Sequence, residues 1–596
     1  MSTISNINGK ELYSALVSGI CKVISRHEHL NKINVFPVPD GDTGTNLLFT
    51  LKPILNIQDS ISSNINTALT QISDVAIDSA RGNSGTIMAQ YFIGIAEKSS
   101  KITEINNKNI FDLLDGGYNA AKESMAEPKE GTIITVMRDV AIESKNHMDS
   151  NDIENTFKAI YKVSIESLNN TPEQMQILKD AGVVDAGAQG FVDLIEGLYH
   201  YIKTGENVNP ESIKINETDS VDINIENYDD SNYQFCTECI VEGDSISRRS
   251  MKEALTSMGD SFILAGTKNK VKVHIHTDTP NKVFDLCSNF GTVKNQKADD
   301  MHQQVSSSHN SQSDIAIVTD SGCDIQYDTH NNNIHVVPVR YSFGSKEYID
   351  KVSHTSDEFY MELMNNPVHP KTSQPPTGDF IRKYENLSTH YKSIISIHIP
   401  GKLSGTLQSA KNAIKNIKDI SINHIDSRLA SAGLGLIVKQ ASEWAKESND
   451  VDLIINKVKE SIKNTQMLLI VNDLSYAIKG GRVPKFAGPI AKVLNMHPIL
   501  TTDKEGSLKA ASVLFGKKDL HVKFANFILK KLDNKYRYNI SVAHSYAENE
   551  GHEIIEIIEN KFDNINSIDL VEMGSALGVH SGPKSFGAGV QKIIDE

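Results

Sequence analysis

The sequence predicts a multidomain fold: an all-α N-terminal domain, a small α+β middle domain and an α/β C-terminal domain. Apolar residues recur with helical spacing through roughly the first 200 positions. From Tyr233 to about Met301 short strand and helix patterns mix. After residue 314 strand and helix patterns alternate, which indicates α/β layering with a largely parallel sheet. At 596 residues the chain has room for roughly three to four domains.

In the N-terminal domain, read as residues 1–205, Leu12, Leu16, Ile20 and Ile24 line one face of the first helix. Further helical runs are "TALTQISDVAIDSA", "TIMAQYFIGIAEK", "IFDLLDGGYNAAKESM", "IITVMRDVAIESK", "IENTFKAIYKVSIESL" and "GFVDLIEGLYHYI". Their connectors carry Gly, Asp, Asn and Ser, and connectors are where functional residues gather. Residues 206–231 and 304–313 have the polar composition of linkers. Between them, residues 232–303 hold "YQFCTECIVEG" as a strand and "SFILAGT" and "KVKVHIHT" as a hairpin. "RRSMKEALTSM" and "NKVFDLCSNFG" read as helices there. Residues 314–596 supply the alternating pattern, from "DIAIVTDS" through "KSIISIHIP" and "GTLQSAKNAIKNI" onward.

Composition narrows the function. With 60 basic against 75 acidic residues and a net charge of -15, a broad nucleic-acid surface is not expected. The five cysteines, Cys21, Cys236, Cys239, Cys287 and Cys323, are sparse and odd in number, so no disulfide framework is implied. The opening residues lack a basic start followed by an apolar core, and no run of about eighteen apolar residues occurs. A cytoplasmic protein is expected.

In "NVFPVPDGDTGTNLLFTL", Asp40 and Asp42 flank one glycine just before a helix. Alone, Pro-Asp-Gly reads as a solvated turn with an N-cap. Two adjacent carboxylates also suit Mg²⁺, which takes oxygen ligands and shares them with phosphates. Asn34 is a further amide-oxygen candidate. Thr43, Gly44, Thr45 and Asn46 stand at the helix start, where unpaired N–H groups favour an anion. Two more glycine loops, "ARGNSGT" and "DAGAQGF", also open helices, and three in one helical domain point to a shared nucleotide pocket. No Gly-x-x-x-x-Gly-Lys-[Ser/Thr] loop is present.

In "KVKVHIHT", His274 and His276 lie two apart on a strand and so share a face. In "FCTEC", Cys236 and Cys239 face opposite sides of a regular strand, so one of them can join the histidines. From these residues alone a zinc site and a polar sheet face with a buried cysteine stand level. In the last domain, "PKTSQPPTGDF" places Thr372 and Ser373 in extended chain, and "PGKLSGTLQSA" places Ser404, Gly405 and Thr406 between strand and helix. "ALGVHSGP" places His580 in a turn, and "IKGGRV" exposes Arg482 beside two glycines, a phosphate or domain contact.

The strings "VFPVPDGDTGTN", "ARGNSGT", "EGTIITV" and "AGVVDAGAQGF" resemble the nucleotide-binding domain of the dihydroxyacetone-kinase type (DhaL-like), in the version found in bacterial fatty acid kinases. The resemblance implies a helical barrel that binds Mg-ATP. Asp40 and Asp42 would hold the metal, Asn34 standing nearest to where the dihydroxyacetone enzymes have a third metal-binding Asp. Asn83, Ser84 and Gly85 would lie near the phosphates, with Thr132 and the Asp185 to Gly187 loop near the nucleoside. The middle domain is similar to that of fatty acid kinases, which implies zinc on Cys236, His274 and His276. "IVTDSG", "TSQP", "SGTLQSA", "GGRV" and "HSGP" resemble the DegV family of fatty-acid-binding proteins, which implies a two-part α/β fold around an acyl chain. Its carboxylate would meet Thr372 or Ser373, Ser404 and His580.

Together these imply an ATP-dependent fatty acid kinase that makes acyl phosphate for phospholipid synthesis. A membrane acyltransferase acceptor and a second copy of the chain are the partners this reading admits. A kinase for a small hydroxyketone and a lipid carrier or sensor without turnover are the alternatives.

Overall fold

The computed structural model of the protein describes residues 6–208, 233–303, 313–326, 333–417, 420–483 and 496–594. Most of the two expected linkers lies outside the described residues. The chain divides into two compact units, Met1–Ser308 and His309–Glu596. Among the described residues no helix is long and apolar enough to cross a membrane.

The first unit begins with helices, the principal ones spanning Gly9–Ser25, Thr43–Leu51, Ile65–Ser79, Gly82–Lys98, Asn107–Ser124, Ile133–Lys145, Ile153–Asn169 and Ala186–Thr204. Their starts are marked by side chains that accept free N–H groups. Asn8 forms a capping box with Glu11, and Asp152 accepts from the Asn155 N–H. The helices share one core that includes Leu16, Ile20, Leu47, Leu51, Ile72, Met88, Val136 and Phe191. The first and last of them touch backbone to backbone. A Cβ on Gly19 would fall 2.5 Å from the Leu194 carbonyl oxygen, and one on Gly197 would fall 2.4 Å from that of Ser18.

A four-stranded antiparallel sheet follows, with strands β1 (Phe235–Glu242), β2 (Asp260–Gly266), β3 (Lys270–Thr277) and β4 (Thr292–Asp300) in the order β2-β3-β1-β4. Helices Arg248–Leu255 and Pro280–Ser288 pack on this sheet. Strand β2 docks on the helical part. Ile263 and Ala265 enter the helical core, the Gly266 N–H donates to Gln90 Oε1 at 2.7 Å, and the Ala126 N–H donates to the Phe262 carbonyl at 3.0 Å.

Among the described residues the second unit holds three sheets. Strands β5 (Ile315–Asp320), β6 (Ile334–Val337), β10 (Ser393–His398) and β11 (Ser421–Asp426) form a parallel sheet in the order β11-β10-β5-β6. It is buried on both faces, by Leu434, Ile437 and Val438 on one side and Phe380, Tyr384 and Ala410 on the other. Near-continuous apolar strands such as "SIISIH" are what such burial requires. Strands β7 (Arg340–Phe343), β8 (Lys346–Ile349) and β9 (Lys371–Ser373) make a small antiparallel sheet.

The third sheet departs from the largely parallel expectation. Strands β12 (Thr465–Ile470), β13 (Met496–Thr502), β14 (Leu508–Phe515), β15 (Arg537–His544), β16 (Ile565–Glu572) and β17 (Phe586–Ile593) lie in the order β14-β13-β12-β17-β15-β16, and only β15 and β16 are parallel. A short turn between β13 and β14, in which Gly506 has φ 84°, forces an antiparallel pair because a parallel crossover needs a dozen or more residues.

Gly19→Ala should destabilise the first unit by about 1–3 kcal/mol, the usual penalty of overpacking. A thermal melt of the full chain followed by circular dichroism measures it. An unchanged melt would mean that the two helices separate freely.

Candidate active site

Asp40 and Asp42 sit on either side of Gly41, whose φ of 65° suits glycine. Asp42 precedes helix Thr43–Leu51 and accepts the Asn46 N–H on its backbone carbonyl at 2.7 Å, leaving its side chain unused as a cap. Asn34 is buried behind the loop. Its Nδ2 donates to the Val38 carbonyl at 3.0 Å and to Asp40 Oδ1 at 2.8 Å, while its Oδ1 accepts from the Thr43 hydroxyl. The sequence suggests Asn34 as a metal oxygen; the structure uses both ends of its amide to brace the loop. Burial, then the charge of Asp42, pushes the Asp40 carboxyl well above the usual carboxylate range. Burial also raises Asp42, against the Asn46 side chain and the charges of Lys297 and His276. Two carboxyls crowded away from water in this way fit a divalent cation, which lets both ionise.

The second glycine loop meets the first. A Cβ on Gly82, where φ is 55°, would fall 2.2 Å from Asn46 Nδ2, and Ser84 Oγ lies 3.4 Å from Thr43 Oγ1. Gly85 packs on Thr50, and Asn83 Oδ1 is buried without a hydrogen-bond partner among the described residues. Thr45 turns away to Asn31, with contacts of 2.8 and 3.0 Å, and Gly44 packs on the His27 carbonyl. The third loop pairs with the turn before helix Ile133–Lys145. Asp185 Oδ1 accepts the Ala188 N–H at 2.7 Å and the Ile133 N–H at 3.1 Å, and Gly187 lies against Ile133. The Thr132 hydroxyl donates to the Lys129 carbonyl at 2.7 Å. Lys129 Nζ stands 5.2 Å from the centre of the Phe36 ring, which ties this pair of turns to the Asp40 loop.

The sheet brings Cys236, His274 and His276 together, with ligand atoms all within 4.8 Å of one another. Register explains it: Cys236 pairs with His276 and Glu238 with His274 across β1 and β3. Cys239 faces the other way and lies beside Cys287. Burial lowers His274 to about 4, so it is a neutral imidazole. One thiol and two imidazoles are a donor set that fits zinc and leaves a fourth position open.

Glu238 links this face to the helices. Its Oε1 accepts the Gly82 N–H at 3.0 Å and lies 3.1 Å from His274 Nδ1. Its Oε2 lies 3.3 Å from Lys272 Nζ and 3.7 Å from Lys297 Nζ. Burial alone would raise its carboxyl, but Lys272, Lys297 and His274 outweigh it and hold Glu238 well below the usual range. Glu238, Lys272 and Lys297 escape a reading for metal ligands. Alternation along "CTE" and "KVKVHIH" is the signal that puts Glu238 and Lys272 on the histidine face.

In the second unit a cavity of ≈ 380 Å³ is walled by apolar residues such as Ile399, Met467, Leu469, Leu500, Met573 and Leu577. Its polar lining includes Thr372, Ser373, Gln374, Ser404, Arg482 and His580, and Gly405 lines it too. His580 Nε2 lies 3.0 Å from the Thr372 hydroxyl. Burial, then the charges of Arg482 and His369, lowers His580 to about 3. Ser404 Oγ contacts the Thr406 hydroxyl at 2.8 Å and accepts the Thr406 N–H at 3.2 Å. Arg482 is anchored by the carbonyls of Gly480 and Leu403, at 2.6 and 3.4 Å. One correction is needed: His580 sits in the last turn of helix Ser575–Ser581, not in a turn, because the helix stops only at Gly582, with φ 68°.

Removing Glu238 would strand Lys272, which is 8% exposed, beside a buried backbone. Glu238→Ala is therefore expected to cost about 3–5 kcal/mol, read from urea unfolding of the full chain. Asp185 behaves oppositely. Burial raises it from 3.8 to about 6, so its ionisation destabilises the fold above pH 6 and costs nothing below 3.8. Asp185→Asn keeps the cap and should melt higher than the natural protein at pH 8, with the gain fading as pH falls from 6 towards 4.

Three family models match the chain: a DAK2 domain over residues 37–200, the FakA-like middle domain of fatty acid kinases over 232–308, and the uncharacterised DegV family over 314–592. An uncharacterized protein of Staphylococcus aureus strain USA300 is 32% identical over 314 residues, 50% of this chain and 57% of the relative. That of strain MRSA252 matches with the same figures, so the chain spans little more than half the length of these relatives. Among solved structures, DegV, a fatty acid binding protein of Bacillus subtilis, is 26% identical over 47% of this chain and all of its own, with a TM-score of 0.43. The Streptococcus pneumoniae fatty acid kinase B3 protein, loaded with linoleic acid, is 20% identical over 46% of this chain and 99% of its own, with a TM-score of 0.42. In order, then, the chain joins a DAK2 domain, a FakA-like middle domain and a DegV family domain.

Proposed function

We propose that the chain is an ATP-dependent fatty acid kinase. The observation that carries this reading is the union, in one chain, of a carboxylate and glycine-loop site with an apolar cavity that has a polar lining. The first suits Mg-ATP and the second a long-chain acid. An acyl carboxylate oxygen attacks the terminal phosphorus of ATP in line; the new O–P bond forms as the bond to the bridging oxygen breaks, and ADP leaves with that electron pair. The product is an acyl phosphate. No side chain need act as nucleophile, so positioning and charge stabilisation carry the catalysis.

Asp40 and Asp42 would hold Mg²⁺, which supplies positive charge against the phosphate oxygens when bound. Asn34 keeps the two carboxylates in place from behind. Thr43, Asn46, Ser84 and Gly85 line the place where the phosphates would lie, with the Asn46 amide and the Ser84 hydroxyl as donors, and Asn83 adds an unused amide oxygen. Thr132, Asp185 and Gly187 shape the nucleoside end. Cys236, His274 and His276 would hold zinc. In the second unit the hydroxyls of Thr372, Ser373 and Ser404, with neutral His580, orient the carboxylate, and the apolar wall excludes water from the anhydride. Arg482 would meet an anion at the same lining.

The test is incubation with Mg-ATP and oleate or palmitate in the presence of hydroxylamine. Acyl hydroxamate is expected. Phosphorylated dihydroxyacetone in a parallel assay would replace this reading with a hydroxyketone kinase, and tight acyl retention without turnover would replace it with a carrier. Asp40→Ala should lower turnover at least ~10²-fold, as loss of a transition-state charge contact does, while oleate binding stays within about twofold. Ser404→Ala should weaken oleate binding about tenfold and leave Mg-ATP binding unchanged.

A further inference from the structure

Beside Glu238, where the helical site and the sheet face meet, stands a side chain that the proposed function leaves without a role. Lys297 stands on β4 directly across from Glu238 on β1, as Asp299 stands across from Cys236. Its face therefore also carries Cys236, Glu238, His274 and His276. Lys297 Nζ lies 2.8 Å from Asp299 Oδ2 but 3.7 Å from Glu238 Oε2, and its side chain is 18% exposed. Glu238 has closer partners in Lys272, His274 and the Gly82 N–H, at 3.3, 3.1 and 3.0 Å. Lys272 is committed, since it also donates to the Ala80 carbonyl and is 8% exposed. Lys297 thus brings a second ammonium to a carboxylate already matched. Through Glu238 it lies one carboxylate away from the Gly82 N–H, in the glycine loop that packs on Asn46 at the start of the helix after Asp42.

We propose that the Lys297 ammonium contacts the terminal phosphate of the nucleotide bound at Asp40 and Asp42. The inference rests on the kinase reading above for the identity of that nucleotide. A lysine is a compact charge on a flexible stem, suited to following a phosphate as it moves. The ammonium stabilises charge on the phosphate oxygens while the bond to the bridging oxygen breaks and that electron pair leaves with ADP. Asp299, 2.8 Å from Nζ, holds the ammonium in place before nucleotide arrives.

Calorimetric titration of the full chain with Mg-ADP and with the Mg complex of β,γ-imido-ATP tests this without any acyl acceptor. The natural protein should bind the triphosphate analogue more tightly than the diphosphate. Lys297→Met should reduce that preference about tenfold, or roughly 1.4 kcal/mol, with Mg-ADP affinity within about twofold. Lys297→Arg should retain most of it. Lys294→Met, on the same strand but paired with Glu242 at 2.6 Å, should retain all of it. Should Lys297→Met fail to fold, Lys297→Gln gives the same reading, because it keeps a polar contact for Asp299 and removes the charge. An unchanged preference overturns the proposal, and so does equal loss of both nucleotides, which would make Lys297 a structural partner of Glu238. Absence of hydroxamate from the natural protein would sink the fatty acid reading and leave this ratio fully readable.

Discussion

The arrangement of the first unit depends on one buried carboxylate. Glu238 is 4% exposed, and it takes hydrogen bonds or ion contacts from a backbone N–H of the helical part and from three side chains of its own sheet. A lone buried charge is costly, and pairing in a low dielectric repays that cost only when the geometry is good. What the interaction adds is register. Shifting β1 by one residue would send Glu238 to the opposite face and leave Lys272 and the Gly82 N–H without their acceptor. An apolar contact such as that of Ile263 and Ala265 tolerates sliding. A carboxylate shared between a glycine loop and two strands does not.

The two units handle charge in opposite ways. Around Asp40 and Asp42, carboxyls are concentrated beyond what the surrounding donors satisfy, and the crowding shows in their raised proton affinity. Such a place is completed by cations. The polar lining of the cavity is built from hydroxyls, an amide and an imidazole that burial keeps neutral, with Arg482 supplying the cationic side chain of that lining among the described residues. Neutral donors hold an anion with less desolvation cost than a buried ion pair, and they do not trap it. Under the proposed reaction the same lining must accept a carboxylate, tolerate its conversion to a more highly charged product, and then release it. A strongly cationic pocket would bind the product too well to turn over.

Much of this was legible in the residues, for identifiable reasons. Glycine loops before helices follow from local backbone rules, so the loops around Gly41, "ARGNSGT" and "DAGAQGF" could be read as helix starts from the residues, while their places around a nucleotide came from the family resemblance. Period-two alternation put His274 and His276 on one face and let one of Cys236 and Cys239 join them; the family resemblance named Cys236, which the register pairs with His276. What spacing does not encode is the identity of a partner distant in sequence. Glu238 meets Gly82 across 156 positions, and nothing in "FCTEC" announces it. Asn34 looks like a free oxygen ligand until Thr43 and Asp40 are seen to enclose its amide. His580 shows the limit of local rules at the other end: Gly582 and Pro583 stop a helix, but whether a helix precedes them depends on packing of Val579, which is fully buried. The mixed sheet of β12 to β17 was hidden because strand direction is set by connections, and alternating patterns describe both kinds.

Joining the two units in one chain changes what their association must achieve. Separate proteins need an interface strong enough to find each other at cellular concentration, whereas a covalent tether holds its ends at an effective concentration in the millimolar range. Under the proposed reaction a weak encounter between the tethered units would then suffice for transfer. Weakness would be useful in that reaction, because an acyl phosphate would have to leave after it is made.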